Sequence, residues 1–273
     1  YVHATHIETI CPRRLALLRR TATEYIHTEG SVSSSDRVVW EMGRAVEKHI
    51  RKQLLDAIGQ SKSFGVWKCV CGHASVTQGY DLKRTRANVG NDGCCTQCKH
   101  EPGTFHELPI WMDTEGLVLS PDYSYMHKSK QAKIVEIKSM KHEKFMDLRE
   151  PLLPNVKQVL RYIRALQVKG VDVHPVGTII YASKGVVRSA KHERVKSEQY
   201  KEFNVSFDQY PSMLAGIEAD FQRGRVIKQV DQEGVYTGDD ADVNQLPPRV
   251  CKTADGVESS KCDMCALCFG MRG

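Results

Sequence analysis

At 273 residues, with 26% charged and 41% hydrophobic residues and a net charge of +6, the chain is long enough to bury a full core, as one domain or one domain with an insertion. No apolar run reaches membrane-spanning length and no signal peptide is evident, so a soluble protein with no membrane partner is expected. The positive balance is compatible with a polyanionic partner without demanding one. The chain starts at Tyr1 rather than Met, so the native start is expected upstream or trimmed.

Residues 4–28 read as helical, with Cys11-Pro12-Arg13-Arg14 near the first turns. Asp36 is a plausible N-cap for the next helix. There Val39, Met42, Val46, Ile50 and Leu54 recur at three- and four-residue spacing, an amphipathic stripe with Gly43 and Glu47 beside it. From Phe64 to His106 the pattern breaks into a stretch rich in Gly, Cys, Lys and Arg. A β-rich block follows, with strand-like runs at Leu108–Met112, Gly116–Leu119, Tyr123–His127 and Lys133–Lys138. A helix is expected across about Asn155–Val168, an apolar strand at Val176–Ala182, another strand at Glu202–Phe207 and a last helix from about Pro211 to Val230. Residues 231–248 read as an acidic loop. The expected organisation is therefore N-terminal helices of a core (1–63), an insertion (64–106), the main body of the core (107–230), and a C-terminal loop with a cysteine cluster (231–273). The fold class is α/β, a mixed central sheet flanked by helices.

Ten cysteines are the second strong feature. Their short Cys-x-Cys and Cys-x-x-Cys spacings, in a chain without a secretion signal, point to metal sites in a reducing, intracellular compartment rather than to disulfides. Cys69 and Cys71, followed by Gly72, and Cys95 and Cys98 resemble the two knuckles of a zinc ribbon, with Cys94 as a substitute ligand. A closed tetrahedral Zn²⁺ site would supply the folding energy that this polar segment lacks. His73, His100 and His106 are read as surface residues. A second cluster, Cys251, Cys262, Cys265 and Cys268, closes the chain.

The most informative stretch is Ile134-Val135-Glu136-Ile137-Lys138, read with Ser120-Pro121-Asp122. Alternation along a strand turns Glu136 and Lys138 to one face and sends Val135 and Ile137 into a core. Asp122 and Glu136 offer hard oxygen ligands for Mg²⁺ or Mn²⁺, and Lys138 an ammonium for a phosphate or an attacking water. A Glu-x-Lys pair serves equally well on an edge strand with a solvated charged face.

In order and spacing, Gly43-Arg44-Ala45-Val46-Glu47, Ser120-Pro121-Asp122, Glu136-Ile137-Lys138 and Gln158-x-x-x-Tyr162 resemble the PD-(D/E)xK nuclease superfamily. The nearer likeness is to its RecB-like branch, which includes CRISPR-associated and phage-type iron–sulfur exonucleases. The resemblance implies a restriction-endonuclease-like core and metal-dependent DNA cleavage, as an exonuclease, in phage DNA metabolism, recombination and repair, or CRISPR adaptation. It implies a cytoplasmic setting in a bacterial or phage-infected cell. Protein partners in a recombination, replication or adaptation complex are also implied.

By the same resemblance, Asp122, Glu136, the backbone carbonyl of Ile137 and Glu47 would hold the catalytic metal. Lys138, Gln158 and Tyr162 would complete the catalytic set. Glu47 is preferred over His49, which lies about 200° round the helix from it. Cys11 would join Cys262, Cys265 and Cys268 around a [4Fe–4S] cluster, with Zn²⁺ on Cys251, Cys262, Cys265 and Cys268 as the alternative. Lys83, Arg84, Arg86, Arg161 and Arg164 are candidate phosphate contacts, each equally at home on a solvated face. The rival reading is a non-catalytic nucleic-acid-binding module or a structural subunit of a nuclease complex.

Overall fold

The computed structural model describes residues 2–3, 34–68, 71, 74–78, 98–99, 104–184 and 199–232. In chain order the elements are β1 (Val2–His3), α1 (Ser34–Ile58), a 3₁₀ turn (Gln60–Lys62), β2 (Gly65–Lys68), β3 (Ala74–Gln78), β4 (Thr104–Glu107), β5 (Ile110–Met112), β6 (Leu117–Leu119), β7 (Tyr123–Met126) and β8 (Ala132–Met140). They continue with α2 (His142–Asp147), α3 (Leu153–Val168), β9 (Val176–Ser183), β10 (Tyr200–Ser206) and α4 (Met213–Gln232). The architecture is mixed α/β, and the chain divides into two units, one of residues 31–110 and 120–217, the other of residues 1–30, 111–119 and 218–273.

In the first unit, a four-stranded mixed sheet runs in the order β10-β9-β8-β7. β8 is antiparallel to β7 and parallel to β9, and β9 is antiparallel to β10. The parallel pair is joined through α2 and α3, the crossover that two parallel strands require. Helix α1 covers one face of the sheet. Its Ile50 and Leu55 join Tyr123, Val135, Ile137, Ile180 and Ala182 in a buried cluster.

Helix α3 covers the other face with Val156, Val159, Leu160 and Ile163, none of which reaches solvent. Gly177 of β9 permits this approach, because a Cβ there would run into the Val159 side chain. The helix starts without a Ser, Thr, Asp or Asn cap. Instead the Tyr181 hydroxyl, reaching from β9, accepts the N–H of Leu152 at 3.0 Å and Asn155 Nδ2 at 2.8 Å. Both faces of β8 are thus buried, as expected of a central sheet flanked by helices and unlike an edge strand with a solvated charged face. α3 covers the side that carries Ile134 and Glu136.

Strands β3, β2 and β4 make a second, antiparallel sheet in this unit, where the sequence showed no periodicity. Its approach is tied to the main sheet. Phe64 is buried and donates its N–H to the carbonyl of Ser124 at 2.9 Å, and Ser63 Oγ lies 2.5 Å from Tyr123 Oη. At the end of α2, Lys201 Nζ donates to the carbonyls of Phe145, Met146 and Leu148 at 2.7–3.1 Å, satisfying groups that the helix leaves open.

In the second unit, β1 lies parallel to β6, which pairs with β5. The buried Glu115 accepts Arg225 of α4 at 2.7 Å, and Lys228 Nζ donates to the carbonyl of Asp113 at 2.7 Å.

The expected elements from residue 107 onward fall close to the observed ones. Helix α1 begins two residues before the expected cap, which places Asp36 inside the helix and not at its cap. The expected helix over 4–28 lies outside the described residues. So do Cys11, Cys69, Cys94, Cys95, Cys251, Cys262, Cys265 and Cys268. Among the described residues, no helix is long and apolar enough to cross a membrane.

Candidate functional site

Four segments of the first unit deliver carboxylates to one place. Glu136 stands on β8, Asp122 just ahead of β7, Glu47 on α1 and Glu107 at the end of β4. One oxygen each from Glu47, Glu107 and Asp122 lies within 4.8 Å of the others. Asp122 Oδ2 accepts the N–H of Ile137 at 2.7 Å, which fastens the Ser120-Pro121-Asp122 segment to β8 between Glu136 and Lys138.

Two cations serve these four acids. Arg51, one turn after Glu47, is paired with Glu47 and lies 2.6 Å from Glu107 Oε1. Lys138 Nζ lies 2.5 Å from Glu136 Oε1. Glu136 is fully buried, and its carboxylate has for company Lys138, the Asp122 N–H and the Asp122 carboxylate itself. A buried carboxylate beside another requires an explanation.

The electrostatics follow from burial. Desolvation, and then the charge of Asp122, push the Glu136 carboxyl well above its usual range; the Lys138 ammonium and the Asp122 N–H pull against that shift without cancelling it. Asp122 is raised by burial despite Lys138 and the Ile137 N–H. Glu47 is raised by burial and by Asp122, and Glu107 by burial against the pull of Arg51. For Lys138, burial works against the charged form, but Glu136 and Asp122 outweigh it and the ammonium is held above its ordinary value. Four acids against two bases, all short of solvent, form a donor set of hard oxygens that suits a divalent cation.

Gln158 and Tyr162 do share a face of α3. Gln158 Nε2 donates to Tyr162 Oη at 2.6 Å, and the tyrosine hydroxyl donates to the carbonyl of Ser120 at 3.1 Å. Tyr162 is buried, and burial followed by the charge of Glu136 raises its pKa well above the ordinary value. The pair therefore braces the segment that carries Asp122. The Tyr162 hydroxyl is thus engaged inside the protein, beside the segment that carries Asp122.

The expectation that Arg161 contacts a phosphate is corrected. It is 4% exposed, under the packing of α3, and does not present its guanidinium to a surface groove. Arg164 is half-buried and His49 is exposed. Lys83, Arg84 and Arg86 lie outside the described residues, and of the ribbon cysteines only Cys71, exposed, and Cys98, half-buried, are described. Glu107 and Arg51 were not singled out in the sequence. Arg51 carries a faint signal, Glu47 to Arg51 being an i, i+4 pair of opposite charge. Glu107 carries none, because only the pairing of β4 with β2 brings it near Asp122.

Beside the carboxylates lies a cleft of about 500 Å³, which Glu47, Ile137 and Lys138 help to line. No family model matches the chain, and no curated protein matches it. Among solved structures it is similar to one described as "Crystal structure of SSO0001", at 11% identity over 80% of this chain and 73% of that one, with a TM-score of 0.34, a likeness too low to carry a functional inference.

Proposed function

We propose that this chain is a metal-dependent deoxyribonuclease that hydrolyses phosphodiester bonds on a restriction-endonuclease-like core. The observation that carries the reading is Glu136: a carboxylate with no solvent exposure, set between Asp122 and Lys138, with Glu47 and Glu107 gathered on the same Asp122. Among the described residues, four carboxylates held by Arg51 and Lys138 alone leave an excess of negative charge that ion pairing does not offset. A divalent cation with oxygen ligands does account for it.

Asp122, Glu136, Glu47 and the carbonyl of Ile137 would hold Mg²⁺ or Mn²⁺, with Glu107 as an additional oxygen donor. When bound, the ion supplies Lewis-acid polarisation of the phosphate and a water more acidic than in bulk. The protein's own groups have distinct tasks. Lys138, kept protonated by its acidic neighbours, orients the attacking water and offsets negative charge as the phosphorus centre becomes more crowded. Arg51 restrains Glu47 and Glu107. Tyr162, with Gln158, holds the Ser120 carbonyl and so fixes where Asp122 stands. The four acidic positions and the lysine support the catalytic reading over the non-catalytic one, since a binding module has no use for a buried carboxylate of this kind.

The test is cleavage of single-stranded and duplex DNA by purified protein with Mg²⁺, with Mn²⁺ and with EDTA. Metal-dependent cleavage that disappears in both Glu136→Ala and Lys138→Ala is the expected result. Cleavage that survives both substitutions overturns the assignment, and DNA binding without cleavage by the wild-type protein favours the binding-module reading.

A further inference from the structure

The first turns of α1 leave four apolar side chains in solvent. Val38, Val39, Trp40 and Met42 are 55%, 46%, 58% and 45% exposed. Singly exposed apolar residues are ordinary, but Val39 and Trp40 stand at the cleft beside the acidic site, where an exposed indole calls for a ligand. The same cleft that Glu47 and Lys138 line is also walled by Trp40, Arg44 and Lys184. Trp40, Arg44 and Glu47 recur at i, i+4 and i+7, so one side of the helix carries an indole, a guanidinium and a carboxylate in sequence. Seven residues of helix place the indole about 10 Å along the axis from Glu47.

Lys184 is held at this wall. Its Nζ donates to the carbonyl of Val39 at 3.3 Å. Gly43 makes room for it, because a Cβ there would stand 3.2 Å from Ser139 Oγ and 3.4 Å from Lys184 Nζ. An exposed aromatic flanked by two cations, opening onto a phosphodiester-cleaving centre, has the chemistry of a nucleotide subsite: a flat apolar surface for a base and positive charge for the backbone on either side.

We infer that Trp40 is a stacking platform for an unpaired base of the DNA substrate, with Arg44 and Lys184 contacting the phosphates that flank it. The inference rests on the nuclease reading and adds a substrate preference to it. Bases inside a duplex are already stacked on their neighbours, so only a single strand or a frayed end offers Trp40 a free face. The subsite therefore favours single-stranded over blunt duplex DNA. Trp40 positions substrate and takes no part in bond cleavage.

The experiment measures binding of a fluorescent single-stranded oligonucleotide by anisotropy in EDTA, so that no cleavage intervenes, and cleavage with Mn²⁺ in parallel. Trp40→Ala should weaken single-strand binding by about 5- to 150-fold, the equivalent of losing one base–aromatic stack, while Trp40→Phe retains most of it. An abasic position scanned along the oligonucleotide should weaken wild-type binding at one position, and there Trp40→Ala should add no further loss. Lys184→Gln should lower the salt slope of binding by about 1. Wild-type protein that binds and cleaves, with Trp40→Ala indistinguishable from it or equally impaired on every abasic substrate, overturns the subsite and leaves the nuclease reading intact. Wild-type protein that neither binds nor cleaves overturns the nuclease reading, and the subsite with it.

Discussion

Helices α1 and α3 cover opposite faces of the same sheet but treat their side chains in opposite ways. α3 is enclosed along its middle turns: Val156, Val159, Leu160 and Ile163 are buried, Arg161 is buried with them, and Gln158 donates to Tyr162, whose hydroxyl donates to Ser120, while its end residues Leu153 and Val168 are exposed. α1 is buried only in its later turns, through Ile50 and Leu55, and leaves Val38, Val39, Trp40 and Met42 in solvent while handing Glu47 to the acidic site. A helix that braces and a helix that presents can share one amphipathic signature. What separates them is where their polar groups go.

Substitutions on the two helices should therefore separate stability from chemistry. Leu160→Ala, on the fully buried side of α3, should cost about 2–5 kcal/mol by denaturant unfolding, with the protein that remains folded still cleaving DNA. Glu47→Ala on α1 should do the reverse, lowering cleavage by about 10²–10³-fold, in the range seen when one preorganised electrostatic contact is lost, while the melting temperature hardly moves. Equal loss of stability in both variants would break the distinction.

Tyr162→Phe, which deletes the hydroxyl between Gln158 and Ser120, should cost about 1–3 kcal/mol of stability. It should also slow cleavage through the displaced Asp122, and the two losses should appear together because the brace serves both.

The strand between the helices gives a pH test. Glu136, with its carboxyl raised well above the ordinary 4.5, binds more protons folded than unfolded. Stability from its neutral form is complete below the unfolded pKa and is lost as pH rises through the folded one. In metal-free buffer, the wild-type melting temperature should fall more steeply than that of Glu136→Gln as pH rises above 4.5. Parallel curves would show that the burial of Glu136 is not what drives the titration.

The smallest effect belongs to Met42→Ala, expected to lie within about 0.5 kcal/mol of wild type because Met42 is 45% exposed. A larger loss would mean that the first turns of α1 have a cover.

Period and alternation made most of this fold readable. The Ile134–Lys138 run forecast β8, and the α3 stripe forecast a helix over 155–168. The β2–β3–β4 sheet escaped because its strands carry only one or two apolar side chains each, in a stretch otherwise rich in Gly, Cys, Lys and Arg, and α2 because a six-residue helix shows little periodicity. At the site, Asp122, Glu136 and Lys138 were legible since adjacent strands and one alternation suffice to align them. The burial of Glu136 was not, because it depends on α3 arriving from the next crossover. Glu107 was out of reach for the same reason: its neighbours are made by tertiary pairing, and nothing within a few residues of it announces the role.

The bond from Asp122 to the N–H of Ile137 has a consequence for how much the chain tolerates. Tyr123 is paired with Val135, so Asp122 and Glu136 are the next partners along the same hairpin. What fixes their separation is the ladder and not the number of residues between them. Residues can be added or removed at the turn over 127–131, at the far end of the hairpin, while the acids keep their places. A shift of one residue in the pairing would move Glu136 to the opposite face and disperse the cluster. The site is insensitive to loop length and intolerant of slippage.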